Sequence, residues 1–259
     1  MKNSKSKTII VTGGLGGIGT EIVNFFYNKN YNIIIIDYKK KSFFSKIKFP
    51  IKDNFIKYYK IDLSNPKFIK SNFTIIKKQF KKIDILINCA GIQYVEKLEL
   101  FPNSQWEKII NVNLSSSFYC SKYILPLMKK SKWGRIINIS SVHGLVASIN
   151  KSAYVASKHG LIGLTKTIAL ETAKLSITCN AICPGWVDTP LISKQIDKNL
   201  KQNKTNKNIE TNKMLKEKHP NLKFINSKAI ASLAHYLCSE EASEITGSSI
   251  NIDGGWTAQ

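Results

Sequence analysis

Apolar residues along the chain fall into two kinds of cluster. The first is short and strongly β-branched, without polar alternation: Thr8 to Thr12, Asn32 to Ile36, Ile83 to Asn88, Arg135 to Ser140 and Ser176 to Ile182, with a shorter run at Ser249 to Ile252. Runs of this kind suit strands buried on both faces, as in a parallel sheet. The second kind is longer and helical in character: Ile18 to Asn28, Trp106 to Lys130 and Tyr154 to Lys174. Alternation of the two predicts an α/β fold, a Rossmann-type doubly wound parallel sheet with helices on both faces. The 259 residues show no internal repeat and no second core, so a single domain over 1–259 is expected.

One stretch breaks the alternation. From Leu191 to Asn221 the chain is rich in lysine and asparagine and sparse in apolar residues, and it precedes a helix starting near Ser227. An insertion this long is either a disordered loop or a mobile helical lid, the second being common in enzymes. A helical substrate lid over about 187–222 is the expectation.

Composition narrows the class. No apolar run approaches the roughly 20 residues that cross a bilayer, and the basic start leads into a glycine turn rather than a cleavage site, so a cytoplasmic protein with no membrane partner is expected. The five cysteines are scattered without a histidine pair at ligand spacing, which reads as reduced, buried thiols and no metal. The net charge of +22 is almost all lysine, with Arg135 the only arginine. Nucleic-acid recognition recruits arginine and concentrates charge on one face, so no nucleic-acid partner is expected from dispersed lysine. A positive field still favours approach of an anionic substrate.

The candidate chemistry begins directly after the first run, at Thr12-Gly13-Gly14-Leu15-Gly16-Gly17-Ile18-Gly19. Glycines there let a turn pass beneath a pyrophosphate, and the helix that follows offers its unpaired N–H groups; Gly13, Gly17, Ile18 and Gly19 are the residues expected at the phosphates. Asp37 ends the next run, where a carboxylate accepts from both ribose hydroxyls of NAD and repels the 2′-phosphate of NADP, although Lys39, Lys40 and Lys41 could soften that repulsion. Asp62 either meets the adenine amino group or caps its own turn at Asp62-Leu63-Ser64. Further on, Tyr154 and Lys158 stand four apart at the start of a helical stretch and share a face. A phenol with a pKa near 10 is a poor base at neutral pH unless an ammonium or a cationic nicotinamide stabilises the phenolate. Ser141 closes a buried run, where its hydroxyl can point at a substrate oxygen.

Thr12 to Gly19, Asn88-Cys89-Ala90-Gly91, Asn113, Ser141, Tyr154, Lys158 and Pro184-Gly185 resemble, in order and spacing, the signature set of the short-chain dehydrogenase/reductase family over essentially the whole chain. The resemblance implies that Tyr154 is the general base, that Ser141 orients the reacting oxygen and that Lys158 binds the nicotinamide ribose. It implies that Asn113 holds a water relaying the proton, and it places Asn88, Gly91, Pro184 and Thr189 in the cofactor set, Thr189 on the nicotinamide amide. Cys89 departs from the asparagine more usual there, at a position that mainly supports the sheet. It also implies a homotetramer.

Within the family, Ala90-Gly91-Ile92-Gln93, His143 through Lys151, Ala181 to Trp186 and the ending Asp253-Gly254-Gly255-Trp256-Thr257-Ala258 are similar to bacterial D-3-hydroxybutyrate dehydrogenases. That similarity implies a carboxylate clamp of Gln93, His143, Lys151 and Gln195, with 3-hydroxybutyrate and acetoacetate as the small-molecule partners. A 3-hydroxy acid needs cationic and amide donors a few ångströms from the base, which Lys151 and His143 can supply. Trp186 can wall off the methyl end, and Gln195 lies in the expected lid. Two other readings stay open: an NADPH-dependent 3-oxoacyl thioester reductase, against which Asp37 and the clamp argue, and a non-catalytic basic binding protein.

Overall fold

Each β-branched run becomes a strand of one sheet. A computed structural model describes residues 6–39 and 56–258. Strands β1 (Thr8–Thr12), β2 (Asn32–Asp37), β3 (Ile56–Lys60), β4 (Ile85–Asn88), β5 (Gly134–Ile139), β6 (Ile177–Pro184) and β7 (Ser249–Ile252) pair in parallel in the order β3-β2-β1-β4-β5-β6-β7. Helices α1 (Gly17–Asn28), α2 (Pro66–Gln79), α3 (Asn103–Ile110), α4 (Ser116–Ser131), α5 (Ser152–Thr172), α6 (Pro190–Asn203), α7 (Lys207–Lys218) and α8 (Ser227–Leu237) connect them. Alternate strand residues feed opposite layers, as a period of two requires. Ile9, Val11, Ile33, Ile35, Ile85 and Ile87 pack in one cluster with Ile22, Phe26, Ile230 and Leu237 of α1 and α8. Ile10, Ile34, Ile36 and Leu86 pack in the other with Phe73, Ile124 and Ile168 of α2, α4 and α5. The winding reverses between β1 and β4, and ligands of such sheets bind outside the strand ends at that reversal. Among the described residues no helix is long and apolar enough to cross a membrane.

Two helical elements differ from expectation, and a third segment resolves an open alternative. Helix α2 was masked by its lysines: only Ile69, Phe73 and Ile76 are buried, while Asn65 caps it by accepting from the N–H groups of Lys67 and Phe68. The stretch Trp106 to Lys130 is not one helix, because a π turn over Asn111–Ser115 separates α3 from α4. Such an inserted residue re-aims side chains, and here it carries Asn113 inward, fully buried. The lysine-rich segment folds as two helices rather than a disordered loop. Ile192 and Ile196 of α6, with Met214 and Leu215 of α7, pack against Val142, Trp186 and Trp256. Buried Glu210 joins the pair of helices by accepting from Asn203 Nδ2 (3.0 Å) and Thr205 Oγ1 (2.7 Å).

A buried polar ladder fixes α5 to the sheet. Asn88 Nδ2 donates to Asn138 Oδ1 (2.8 Å), and Asn138 Nδ2 donates to Thr165 Oγ1 (2.8 Å). Truncating Asn138 leaves the buried Asn88 Nδ2 with only a long contact to Ser121 Oγ, at 3.4 Å. We expect Asn138→Ala to destabilise the fold by about 1–3 kcal/mol in urea unfolding, and an unchanged midpoint would show that the ladder does not hold α5.

Candidate active site

The glycine turn is held by its neighbours before any ligand is considered. Thr12 Oγ1 accepts from the N–H groups of Cys89 (3.0 Å) and Ala90 (3.2 Å), joining the ends of β1 and β4. Gly13 lies at φ +64°, and a Cβ there would stand 2.7 Å from Ala90 Cα. A Cβ on Gly19 would stand 2.1 Å from the Gly13 carbonyl oxygen, and one on Gly17 2.6 Å from Thr189 Cγ2. The turn therefore admits no side chain at these positions, and Thr189, at the start of α6, lies directly on it. Helix α1 has neither a side-chain cap nor an acidic residue in its first turn. Its orphan N–H groups at Gly17, Ile18 and Gly19 thus suit a phosphate, and the donor set fits a dinucleotide.

Asp37 is buried at the end of β2, with Oδ2 accepting from Leu15 N (3.0 Å) and Oδ1 from Lys39 N (3.1 Å). Each oxygen keeps a lone pair for a ribose hydroxyl. Lys39 Nζ donates to the Leu15 carbonyl (3.0 Å), while Lys40 and Lys41 lie outside the described residues. Asp62 caps its turn, accepting from Ser64 N (2.9 Å) and Ser64 Oγ (2.7 Å), which is one of its two expected roles. Asn88 is buried at the end of β4, and its Nδ2 is engaged in the ladder, also donating to Ser121 Oγ at 3.4 Å.

Ser141, Tyr154 and Lys158 converge at the ends of β5 and α5. The Lys158 ammonium is buried and donates to the Ile139 carbonyl (2.8 Å), and burial pulls its pKa down to about 8. It stands 5.6 Å from the centroid of the Tyr154 ring. The phenol itself departs from expectation: burial raises its pKa, and the opposing influence is a hydrogen bond with the Ser141 hydroxyl rather than the lysine. Desolvation of the phenolate outweighs an ammonium at that distance. Asn113 Oδ1 accepts from Ile92 N and its Nδ2 donates to Ile92 O, both at 2.9 Å, and Nδ2 also meets Ser157 Oγ at 3.2 Å. A Cβ on Gly91 would lie 3.7 Å from Lys158 Nζ and 3.8 Å from Asn113 Oδ1, so the glycine opens onto both.

Three of the residues expected for the clamp come into contact. Gln93 Nε2 (2.9 Å) and Lys151 Nζ (3.3 Å) both donate to Oε1 of Gln195, which α6 carries in from the lid. Lys151 is buried at the N-terminus of α5, and burial lowers its pKa to about 8 against a smaller upward pull from Glu217. His143 joins the site, but not as a cation. Burial, reinforced by Lys151, pushes it down to about 3, and its ring lies 2.9 Å from Ser148 Oγ and 3.4 Å from Ser141 Oγ. Trp186 and Pro184 line the same cavity, whose volume of about 70 Å³ is the room of roughly two waters. Sequence reasoning left Trp256, Ser148 and His219 out of the site. Trp256 meets His143 edge-on at 5.3 Å and Trp186 at 5.1 Å, and only its place in the ending Asp253-Gly254-Gly255-Trp256 signalled it.

A parallel sheet with a glycine turn at its winding reversal and a Ser–Tyr–Lys set beside it is the arrangement of a defined protein class. The model of the short chain dehydrogenase family matches residues 7–200, and the chain belongs to that family. It is similar to D-beta-hydroxybutyrate dehydrogenase of Rhizobium meliloti (strain 1021), 42% identical over 98% of this chain and 100% of the relative. It is 35% identical, over 97% of each chain, to the 3-oxoacyl-(acyl-carrier-protein) reductase of Buchnera aphidicola subsp. Schizaphis graminum. Among solved structures, 4-hydroxyisoleucine dehydrogenase complexed with NADH and succinate superposes with a TM-score of 0.83 at 35% identity, covering 97% of this chain and 100% of that one.

A histidine held near pKa 3 stays neutral through the physiological range, while the unfolded chain takes up a proton near 6.5. Its contribution therefore lowers stability as pH falls from about 6.5 towards 3. An NMR titration should show no protonation of His143 down to about pH 4, and a midpoint between 6 and 7 would contradict its burial.

Proposed function

We propose that this protein catalyses the reversible oxidation of D-3-hydroxybutyrate to acetoacetate with NAD. The carrying observation is the convergence of Gln93 Nε2 and Lys151 Nζ on one oxygen, Gln195 Oε1, with Gln93 and Lys151 lining the same cavity as Tyr154 and Ser141. Two donors aimed at a single acceptor, one of them cationic, suit a carboxylate oxygen better than an amide. The Rhizobium relative supports this substrate and its hand, and the succinate complex supports a carboxylate ligand beside a nicotinamide on this fold.

The residues then divide the work. Lys151, Gln93 and Gln195 hold the carboxylate, and neutral His143 supplies a ring N–H whose partner sets its tautomer. Trp186 and Trp256 close the methyl end. Ser141 orients the reacting hydroxyl towards Tyr154, which takes its proton in the forward direction. When bound, the nicotinamide supplies the acceptor for the hydride leaving C3, and its positive charge favours the phenolate that burial disfavours. Gly17, Ile18, Gly19, Asp37, Lys158 and Thr189 are the residues that would hold the dinucleotide, with Asp37 favouring NAD over NADP. A second reading, reduction of a 3-oxoacyl thioester with NADPH, is favoured by the Buchnera relative; the clamp weighs against it, because a thioester lacks the free carboxylate.

NADH formation at 340 nm should appear with NAD⁺ and D-3-hydroxybutyrate and not with the L-enantiomer, NADP⁺ or 3-hydroxyacyl thioesters. Tyr154→Phe should abolish turnover while cofactor binding persists. Residual activity above about a hundredth of wild type would remove Tyr154 as the base. Thioester turnover with silence on the free acid would replace the reading outright.

Lys151 carries its charge below about pH 8 and loses it above. Apparent KM for the acid should therefore rise as pH climbs through 8. Lys151→Ala should raise KM at neutral pH and abolish that pH dependence, and an unaltered KM would take Lys151 out of the clamp.

A further inference from the structure

His219 belongs to none of the groups above, yet it is fully buried against the pocket wall. It follows α7 directly, where the lid returns to the body of the protein, and it is 0% exposed. Its imidazole lies face to face with the Trp186 indole, centroids 5.6 Å apart and planes at 15°. The edge of the same ring meets Trp256 at 5.6 Å. Trp186 donates its backbone N–H to His219 Nε2 (2.9 Å), and its carbonyl accepts from Ile225 N (2.8 Å) just beyond. Burial lowers the histidine pKa, so Nε2 is available as an acceptor.

Room for this ring is made by Gly185. A Cβ there would stand 2.7 Å from both Cε1 and Nε2 of His219. The backbone of Trp186 is thus gripped on both sides by the lid's exit, and its ring is backed by an aromatic plane from the same segment. Nothing in the proton transfer or the carboxylate clamp requires that arrangement. A wall that must stop a chain after one methyl group does require it, since an indole free to tilt would admit further carbons.

Resting on the 3-hydroxy-acid reading above, we propose that His219 is a positioning residue that sets substrate chain length. It holds Trp186 and Trp256 as a rigid wall and couples that wall to the docking of the lid. A site that discriminates by one methylene does so by roughly 10–200-fold, so loss of the support should be read in substrate preference rather than in rate alone.

The test compares kcat/KM for D-3-hydroxybutyrate, D-3-hydroxypentanoate and D-3-hydroxyhexanoate, using the full chain with NAD⁺. In His219→Ala the preference for the four-carbon over the six-carbon acid should fall about tenfold or more. The loss on the four-carbon acid should sit in KM, with KM for NAD⁺ unmoved. Gly185→Ala, which displaces the imidazole without altering it, should shift the preference the same way. His219→Gln keeps an acceptor for Trp186 N–H but no ring, and should fall between wild type and His219→Ala. Its preference also decides the matter if the alanine variant does not fold. A folded His219→Gln with wild-type preference, or equal losses on all three acids, would overturn the proposal while leaving the substrate reading intact. Wild-type silence on every 3-hydroxy acid would instead overturn that reading and this one with it.

Discussion

Burying an ammonium group costs several kcal/mol unless its protons find acceptors, and Lys158 is 3% exposed at the very end of the central strands. The arrangement that makes this tolerable organises the site. Strand β5 ends so that the Ile139 carbonyl, no longer needed by the ladder, accepts from Nζ. Ser140 Oγ donates to the Lys158 carbonyl at 3.2 Å, and Gly144 lets the following turn approach α5, since a Cβ there would lie 2.9 Å from that carbonyl. The register of α5 against β5 is thereby over-determined. Tyr154, one turn earlier on the same face, inherits its position from that register, and so does Lys151 at the helix start.

The same economy of contacts links the two halves of the crevice. Thr189 lies on Gly17, so the residue that begins the lid touches the turn proposed for the phosphates. Six residues on, Gln195 reaches the clamp from the next turns of α6, and the lid's exit returns through His219 and Ile225 to Trp186. A lid anchored at both ends to different parts of the site cannot settle without reporting on both. In this structure Gln195 Oε1 accepts from both Gln93 Nε2 and Lys151 Nζ, the contact at which the proposed carboxylate would bind. On the proposed reading, ligand entry displaces this contact, which gives the lid a reason to open that does not depend on flexibility of the chain.

How much of this was legible beforehand follows from what each signal encodes. The central strands were visible because burial on both faces leaves no polar residues to confuse the pattern, and β1 coincides with its run. Edge strand β7 also coincides with its run although it is half-buried, whereas β3, Ile56–Lys60, lay outside the runs because its lysines and exposed positions break the apolar pattern. The lid was expected to be helical, but its two helices were not placed, because their buried set is thin, Ile192 and Ile196 on one helix and Met214 and Leu215 on the other, amid lysine and asparagine. The spacing of Ile192, Ile196 and Leu200 is helical and was the available clue. The π turn left no trace, since one extra residue in a helix changes no composition. Of the site, motif residues were found where spacing carried the chemistry. The ladder that engages Asn88 Nδ2 was not legible, because spacing says which residues lie near a turn and not which way a side chain points. His143 was expected as a cation for a related reason: its neutrality comes from burial, which depends on Trp256 more than a hundred residues away.

The charge of the chain separates along the same line. Lysine and arginine together number 39, yet among the described residues only Arg135, Lys151 and Lys158 are buried. An exposed lysine needs only water and is worth little to the fold, so its position is weakly constrained. A buried cation needs acceptors at fixed places. Arg135, the single arginine, donates to the Gly134 (2.9 Å), Ser176 (3.1 Å) and Ser239 (3.4 Å) carbonyls and lies 4.5 Å from the centre of the Trp133 ring. A lysine there would offer no planar fork to reach carbonyls of three segments at once. It pins the opening ends of the strands, while Lys158 pins the closing ends. Lys151 differs from both: its acceptor is the side chain of a lid residue rather than fixed backbone, so it is the one buried cation whose partner can be exchanged. That exchangeability is what the proposed substrate anion requires, and it sets Lys151 apart from the many lysines that sequence alone makes equivalent.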